Sequence, residues 1–314
     1  MKKHNWTEKD IPDQEGRRIV ITGANSGIGL IAAKVMAKKG AAVILAVRNL
    51  VKGKAAADNI RREFHQAKLS VMELDLSSLT SVRQFAELFQ EKYNSLSVLI
   101  NNAGIMAIPY SKTTDGFEMQ FGTNHLGHFA LTGLLLPAIK NSPGARVVTT
   151  SSSYHMQGQI DFEHLEGSNG YKENKSSLSM SAYQQSKLAN LLFARELQRR
   201  FQASGIDAIS IGSHPGYTRT KLHLVGPQMR DSRLKETLMK LMYVFAQSPE
   251  MGTLPNLYAA TSADIRGGEY IGPKGFMGMR GYPGPVPSSQ LSQDIDVAQR
   301  LWKVSEEMTG VRYL

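Results

Sequence analysis

The chain has 314 residues, of which 41% are hydrophobic and 20% charged, and its formal net charge is +10. A chain of this length can bury a large core, and no long stretch is polar enough to predict disorder. It contains no cysteine, which excludes disulfides, thiolate metal sites and cysteine nucleophiles.

The positive charges are scattered along the chain, and no basic stripe interleaved with aromatic residues predicts nucleic-acid binding. Residues 1–16 are polar and lack the apolar core of a signal peptide. No apolar run reaches the roughly 18 residues that a membrane-spanning helix needs. We therefore predict a cytoplasmic protein with no membrane span and no nucleic-acid partner.

Apolar, strand-like runs alternate with segments of helical periodicity along most of the chain. The predicted strands are 17–22, 42–47, 69–74, 97–100, 146–150 and 207–211. The predicted helices are 28–39, 53–65, 81–93, 117–139 (as one helix or two) and 183–202. Strands that are apolar throughout indicate a parallel sheet that is covered on both faces. The predicted fold class is α/β, a single-domain Rossmann-type doubly wound parallel sheet with helices on both faces.

Three segments depart from this alternation. Residues 154–181 are polar, and they either border a binding pocket or form a surface excursion. Residues 219–249 carry methionines at helical spacing, which favours either a flexible cover over an apolar ligand or ordinary core packing. Residues 267–287 are rich in Gly and Pro and are predicted to be irregular.

A glycine-rich turn, TGANSGIG, links the first predicted strand to the first predicted helix over residues 22–29. Glycines allow positive φ and let the backbone approach a pyrophosphate, while the helix N-terminus presents free N–H groups to the phosphates. The placement between strand and helix is the context that such a motif requires. The turn predicts a dinucleotide site that includes Gly23, Asn25, Ser26, Gly27, Ile28 and Gly29.

The end of the second predicted strand indicates which dinucleotide binds. An acidic residue there would bind the ribose 2′-OH of NAD, whereas an Arg accommodates the 2′-phosphate of NADP. The strand ends in Val47, Arg48 and Asn49, without an acid. Because a guanidinium binds phosphate with two parallel hydrogen bonds, Arg48 and Asn49 predict NADP(H) rather than NAD(H). The alternative is that Arg48 is an ordinary surface charge.

Three motifs in this order resemble the short-chain dehydrogenase/reductase family over about residues 17–272. They are the glycine turn, the sequence NNAG at 101–104 and the sequence YQQSK at 183–187. The sequences NHLGHF at 124–129 and SKLAN at 186–190 resemble the retinol dehydrogenase-like branch of that family. The resemblance implies an N-terminal extension at 1–16, a catalytic domain at 17–272 with a lid at about 219–249, and a C-terminal segment and helix at 273–314.

The resemblance also implies roles for individual residues. Further cofactor contacts are implied for Asp75, Leu76, Asn102, Ala103, Gly104, Tyr183, Lys187, Pro215, Gly216 and Thr218. The implied catalytic residues are Asn124, Ser152, Tyr183 and Lys187. Three serines follow the strand 146–150 in succession, and alignment with the family pattern favours Ser152, with Ser151 and Ser153 as alternatives.

Tyr183 and Lys187 lie four residues apart in a predicted helix and therefore share one face. A free tyrosine has a pKa of about 10, and a nearby ammonium favours the phenolate, so we expect Lys187 to lower the pKa of Tyr183. Tyr183 would donate a proton to the alkoxide formed by hydride transfer, and Ser152 would stabilise that oxygen. The resemblance implies that Asn124 kinks its helix and that its freed carbonyl binds a water connected to Lys187.

We therefore expect an NADP(H)-dependent oxidoreductase that interconverts an aldehyde or ketone and an alcohol, acting on a small hydrophobic substrate. The alternative is a non-catalytic NADP(H)-binding regulatory protein on the same fold. The histidines lack a zinc-type spacing, so no metal site is predicted. The family implies a homodimer or homotetramer that pairs through the helices 117–139 and 183–202.

Overall fold

A computed structural model describes residues 5–165, 176–219 and 246–314. Its eight strands form one sheet in the order β3-β2-β1-β4-β5-β6-β7-β8, in which β1 to β7 are parallel and β8 is antiparallel to β7. The strands are β1 Arg18–Thr22, β2 Ala42–Val47, β3 Leu69–Glu73, β4 Val98–Asn101, β5 Ala145–Thr150, β6 Ala208–Ser213, β7 Tyr270–Pro273 and β8 Pro283–Pro285.

Helices connect the strands and cover the sheet. The described helices are α1 Gly27–Lys38, α2 Leu50–Glu63, α3 Leu79–Lys92, α4 Met119–Phe121, α5 Gly127–Leu134, α6 Leu136–Lys140, α7 Ser176–Ala203, α8 Pro249–Thr261 and α9 Ile295–Thr309. A π-helical turn, Gly122–Leu126, joins α4 to α5. Helices α2 and α3 begin before the predicted positions because the side chains of Asn49 and Ser78 cap them.

Apolar side chains from alternate strand positions enter two separate cores. Val20, Ile44 and Leu99 belong to one core, whereas Ile19, Ile21, Val43, Leu45 and Ile100 belong to the other. Since successive side chains of a strand point to opposite faces, the two cores lie on the two faces of the sheet. The predicted doubly wound α/β fold is confirmed.

The prediction that residues 267–287 are irregular is wrong. They contain β7, which pairs with β6, and β8, which forms the edge of the sheet. Proline lacks a backbone donor, but an edge strand needs hydrogen bonds on one side only, so it tolerates Pro283 and Pro285. The prolines and glycines therefore concealed two short strands.

Most of the segment 219–249, with its predicted lid, lies outside the described residues, as does 166–175 of the polar segment.

The C-terminal helix α9 packs into the first of the two cores. Trp302 is 2% exposed, and its ring lies 5.0 Å from that of Phe129 and 4.7 Å from that of Tyr313. The guanidinium of Arg200 on α7 lies 4.2 Å from the Trp302 ring centroid. This contact joins α9 to α7, whose other end carries Tyr183 and Lys187.

Trp302→Ala is expected to lower the free energy of unfolding by about 3–5 kcal/mol, because it leaves a large cavity in a close-packed core. Equilibrium denaturant unfolding measures the change. Val51→Ala is the matched control, since Val51 is 78% exposed and its truncation should change stability by less than about 0.5 kcal/mol. Equal losses in the two variants would contradict the proposed packing.

Candidate active site

The carboxyl ends of the parallel strands form the edge at which the predicted site residues gather. Thr22 ends β1, Asn101 ends β4 and Thr150 ends β5, and these strands are direct neighbours. From β1 the chain adds β2 and β3 on one side of the sheet, and from β4 it adds strands on the other side. Doubly wound sheets open a crevice at this switch point, between β1 and β4. The site is built at that crevice.

The glycine turn after β1 has the backbone geometry that its sequence predicts. Gly23 and Gly27 have φ values of +68° and +54°. A Cβ atom on Gly29 would lie 2.6 Å from both the Gly23 carbonyl oxygen and Asn102 Nδ2, so a side chain cannot be accommodated there. A Cβ on Gly27 would meet no atom within 4 Å, which shows open space beside the first turn of α1.

The N-terminus of α1 lacks the side-chain cap that α2, α3, α8 and α9 have. Ser26 occupies the N-cap position of α1 but accepts no capping hydrogen bond. In contrast, Asn49, Ser78, Ser248 and Asp294 cap α2, α3, α8 and α9. Free N–H groups and open space at a helix N-terminus suit an anion such as a pyrophosphate. The turn therefore fits a dinucleotide.

Arg48 and Asn49 follow β2 at the same edge, and both side chains are exposed. The Asn49 side chain accepts a hydrogen bond of 2.9 Å from the Lys52 N–H, so its role in the fold is to cap α2. Within the described part of the chain, no acidic residue forms an ion pair with Arg48. Its guanidinium is therefore available to an external anion.

The loop after β4 is fixed to the glycine turn through Thr22. The Thr22 hydroxyl accepts hydrogen bonds of 2.9 Å from the backbone N–H groups of Asn102 and Ala103. The Asn102 side chain donates to the Thr22 carbonyl at 2.9 Å. Thr22 was not among the predicted site residues, although a polar residue at the end of an apolar strand is a signal from which it could have been found.

Two other sets of implied cofactor residues lie at the same edge. Asp75 follows β3, and its carboxylate accepts hydrogen bonds from the N–H and hydroxyl of Ser77. Leu76 beside it is buried. After β6, Gly216 has a φ of +66°, and the Thr218 hydroxyl donates to the Pro215 carbonyl at 2.7 Å. The contacts of these residues with a cofactor stay predictions.

Tyr183 and Lys187 lie on one face of α7, as their spacing predicts, and both are buried. The Lys187 ammonium lies 5.6 Å from the centroid of the Tyr183 ring and donates to the Thr150 carbonyl at 3.1 Å. The Asn190 amide donates to the same carbonyl at 3.1 Å. Both contacts fix α7 to the end of β5. A Cβ on Gly104 would lie 3.4 Å from Lys187 Nζ, so the loop after β4 lies next to the Lys187 ammonium.

Asn124 lies in the π-helical turn, and the kink that the family resemblance implies at this residue stays a prediction. Its side chain accepts from the Ile105 N–H at 2.9 Å and donates to the Ile105 carbonyl and to the Ser186 hydroxyl. The Asn124 backbone carbonyl is bonded to Nδ1 of the buried His128 at 3.0 Å. Since a carbonyl only accepts, His128 Nδ1 donates, and this contact was not foreseen. The proposed water on the Asn124 carbonyl stays a prediction.

The pKa of Tyr183 departs from the expectation. Burial raises the pKa of Tyr183 above its ordinary value, and this effect exceeds the lowering by a hydrogen bond with the Ser152 side chain. Burial also lowers the pKa of Lys187 to about 8. The expected net lowering of the Tyr183 pKa is therefore wrong for the protein alone, because loss of hydration disfavours the phenolate. The phenol is protonated at neutral pH.

The three consecutive serines have different surroundings. Ser151 is buried, and its hydroxyl donates to the Lys187 carbonyl at 2.6 Å. Ser152 is partly exposed, and hydrogen bonding by its side chain acts to lower the pKa of Tyr183. Ser153 is exposed at the start of a short 3₁₀ turn, Ser153–Gln157. Of the three, Ser152 is the one that shares a space with Tyr183, which favours the predicted assignment.

Comparison with known proteins places the chain among dehydrogenases. Residues 17–164 match the short chain dehydrogenase family. Mouse retinol dehydrogenase 12 is 41% identical over 95% of this chain and 88% of its own length. Human retinol dehydrogenase 13 is 39% identical over 94% of this chain and 85% of its own length.

Solved structures agree with these relatives. An uncharacterised protein from Mycobacterium paratuberculosis is 40% identical, with a TM-score of 0.78, and the match covers 99% of this chain and 100% of that chain. A short chain dehydrogenase from Shigella flexneri, solved in complex with NADP, is 25% identical with a TM-score of 0.62 and covers 83% of this chain and 98% of its own.

Within the described residues, we find no helix with both the length and the hydrophobicity required to traverse a lipid bilayer. Because relatives at 39–41% identity cover nearly the whole chain, the protein belongs to the short-chain dehydrogenase family, in its retinol dehydrogenase-like branch.

Proposed function

We propose that this oxidoreductase uses NADPH to reduce the carbonyl group of a small hydrophobic aldehyde or ketone. The observation that carries the proposal is the buried phenol of Tyr183, with the Lys187 ammonium 5.6 Å from its ring centroid and the Ser152 side chain also acting on it. Carbonyl reduction requires a proton donor beside a group that stabilises the developing negative charge on oxygen. Those two groups meet at the edge that fits a dinucleotide.

When bound, NADPH supplies the hydride that reduces the carbonyl carbon. The residues of the chain then act on the substrate oxygen. The Ser152 hydroxyl donates a hydrogen bond to this oxygen, and Tyr183 transfers its phenolic proton to it. The resulting phenolate is stabilised by the Lys187 ammonium, whose position is fixed by the Thr150 carbonyl. Electrostatic stabilisation is therefore needed most after the proton has left Tyr183.

Arg48 supports the preference for NADPH over NADH. It lies exposed just after β2, the end of that strand carries no acidic residue of its own, and a guanidinium suits the additional phosphate. Backbone N–H groups at the first turn of α1 bind the pyrophosphate in this proposal. The remaining contacts of the cofactor are those implied by the family motifs.

The preference for a hydrophobic substrate rests on the side chains that follow Ser152. Tyr154 is 38% exposed, and its ring meets that of Tyr183 edge to face at a centroid distance of 6.0 Å. Met156 is 56% exposed in the same turn. An apolar ligand next to Tyr183 would cover part of this surface. A cytoplasmic location and a dimeric or tetrameric assembly stay predictions from the sequence.

Tyr183→Phe removes the proton donor and is expected to lower kcat for aldehyde or ketone reduction by about 10²–10⁴-fold. Steady-state NADPH oxidation measures the loss. The affinity for NADPH, measured by fluorescence titration, should change little, which separates catalysis from binding. A Tyr183→Phe variant with near-normal kcat would contradict the proposal and would favour a binding protein without this chemistry.

Arg48→Ser is expected to weaken the binding of NADPH relative to NADH by on the order of 10- to 100-fold, since a charge-assisted hydrogen bond contributes about 1.5–3 kcal/mol. Titration of both dinucleotides measures the ratio. Arg62→Ser is the control, because Arg62 is an exposed arginine at the far end of α2. If both variants leave the ratio unchanged, Arg48 does not select the cofactor.

The rate of carbonyl reduction is expected to fall as the pH rises above about 8. The lowered pKa of Lys187, about 8, means that its ammonium is charged below this pH and neutral above it. Losing the charge removes the stabilisation of the Tyr183 phenolate. Lys187→Arg keeps a positive charge throughout this range, so its profile should lack the decline, whatever its absolute rate. The pH dependence of kcat at saturating NADPH tests this, and a decline at the same pH in both proteins would contradict it.

A further inference from the structure

The short turn that follows Ser152 contains one buried histidine between exposed neighbours. His155 is 1% exposed, whereas the adjacent Tyr154 and Met156 both face solvent. Its ring meets Tyr270 of β7 edge to face, with a centroid distance of 5.0 Å and an interplanar angle of 81°. The Tyr270 hydroxyl lies 3.3 Å from His155 Nδ1. The ring orientation is therefore fixed by packing on the sheet.

Both ring nitrogens of His155 have partners with fixed roles. Nδ1 lies 2.7 Å from the Ser152 carbonyl, which can only accept, so Nδ1 carries the hydrogen. Nε2 lies 3.2 Å from the backbone N–H of Ser289, so Nε2 accepts. These bonds define a neutral ring with one tautomer. Burial lowers the pKa of His155, which agrees with the neutral form.

Ser289 belongs to a C-terminal segment, residues 288–293, that is attached to α7 by Arg195. The Arg195 guanidinium donates to the Ser292 carbonyl and hydroxyl at 2.7 Å and to the Ser288 hydroxyl at 2.8 Å. Within the segment, the Ser292 hydroxyl donates to the Ser289 carbonyl at 2.6 Å. The donor that meets His155 is thus held in place by the helix that also carries Tyr183.

The turn after Ser152 also packs directly on α7. A Cβ atom on Gly158 would lie 2.6 Å from the carbonyl oxygen of Gln184, the residue next to Tyr183. The Gly158 N–H donates to the His155 carbonyl at 3.0 Å. The position of Ser152 relative to the Tyr183 phenol is therefore set from two sides, by α7 at Gly158 and by the C-terminal segment through His155.

We propose that His155 is a positioning residue that aims Ser152 at the substrate oxygen, and that the C-terminal segment 288–293 acts through it on the active site. The inference rests on the proposed function and names a part of its machinery that the catalytic motifs do not include. His155 touches neither Tyr183 nor the glycine turn in any contact described above. It acts through the Ser152 carbonyl.

The expected consequence is a loss in kcat with unchanged cofactor binding. A displacement of about 1 Å in a reacting group can cost about 10²-fold in rate. His155→Phe keeps the ring packing on Tyr270 but removes every hydrogen bond of the two ring nitrogens, so kcat for carbonyl reduction should fall about 10- to 100-fold. His155→Asn retains a donor near the position of Nδ1 and should recover part of kcat. Arg195→Met should lower kcat in the same direction, since it frees the segment that holds Ser289.

The experiment is a double-mutant cycle on kcat, with NADPH affinity and thermal unfolding measured for every variant. The variants are His155→Phe, His155→Asn, Arg195→Met and the double variant His155→Phe/Arg195→Met. If Arg195 acts through His155, the double variant should be no slower than His155→Phe alone. Arg199→Met is the matched control, because Arg199 lies one turn further along α7 and pairs with Glu196 instead.

Four results would overturn the inference. The first is a His155→Phe variant whose kcat equals that of the parent protein. Because the parent still turns over NADPH in that case, the proposed function would stay intact. The second is full additivity of the two substitutions, which would mean that Arg195 acts separately. The third is a kcat in His155→Asn that is as low as in His155→Phe at equal thermal stability. The fourth is a parent protein that binds NADPH but reduces none of a panel of aldehydes and ketones, and this result alone also rejects the proposed function.

Discussion

The hydrogen bond from the Lys187 ammonium to the Thr150 carbonyl is the interaction on which the rest of the site depends. It joins a long helix to the end of a central strand, so that residues distant in sequence meet at one edge of the sheet. Without it, the charge of Lys187 would have no fixed place in a buried environment, where an unpaired ammonium is costly. Tyr183, one turn away, takes its position from the same attachment.

Burial favours the neutral form of both Tyr183 and Lys187. It keeps the Tyr183 phenol protonated and brings the pKa of Lys187 to about 8. In the proposed reaction the protonated phenol donates its proton, and the Lys187 ammonium stabilises the phenolate that is left.

Local patterns were enough to predict the sheet, most helices and the glycine turn, because apolar periodicity and glycine content report directly on burial and backbone conformation. Helix starts were shifted, since caps such as Asn49 act from outside the periodic segment. Strands β7 and β8 were missed because pairing with β6 was not visible in a segment of prolines and glycines. The direction of the Tyr183 pKa was wrong because four-residue spacing reports a neighbour but not the loss of water.

The sequence offered even less information about contacts between distant segments. His155 and Ser289 are separated by 134 positions, and only the folded chain shows that they share a hydrogen bond. His128 likewise reaches Asn124 on its own helix and the Thr22 hydroxyl across the sheet edge at 2.9 Å. In both cases a histidine for which the sequence predicts no metal role completes a hydrogen-bond network beside a candidate catalytic residue.

The most direct test of the account is the fate of the hydride and the proton in one turnover. The protein would be incubated with an aldehyde and NADPH that carries deuterium at its transferable position, and the alcohol product analysed by mass spectrometry. Hydride transfer from NADPH predicts one deuterium on the former carbonyl carbon, with the hydroxyl proton derived from exchangeable groups such as Tyr183. An alcohol without the label, or no alcohol at all while NADPH is bound, would contradict it.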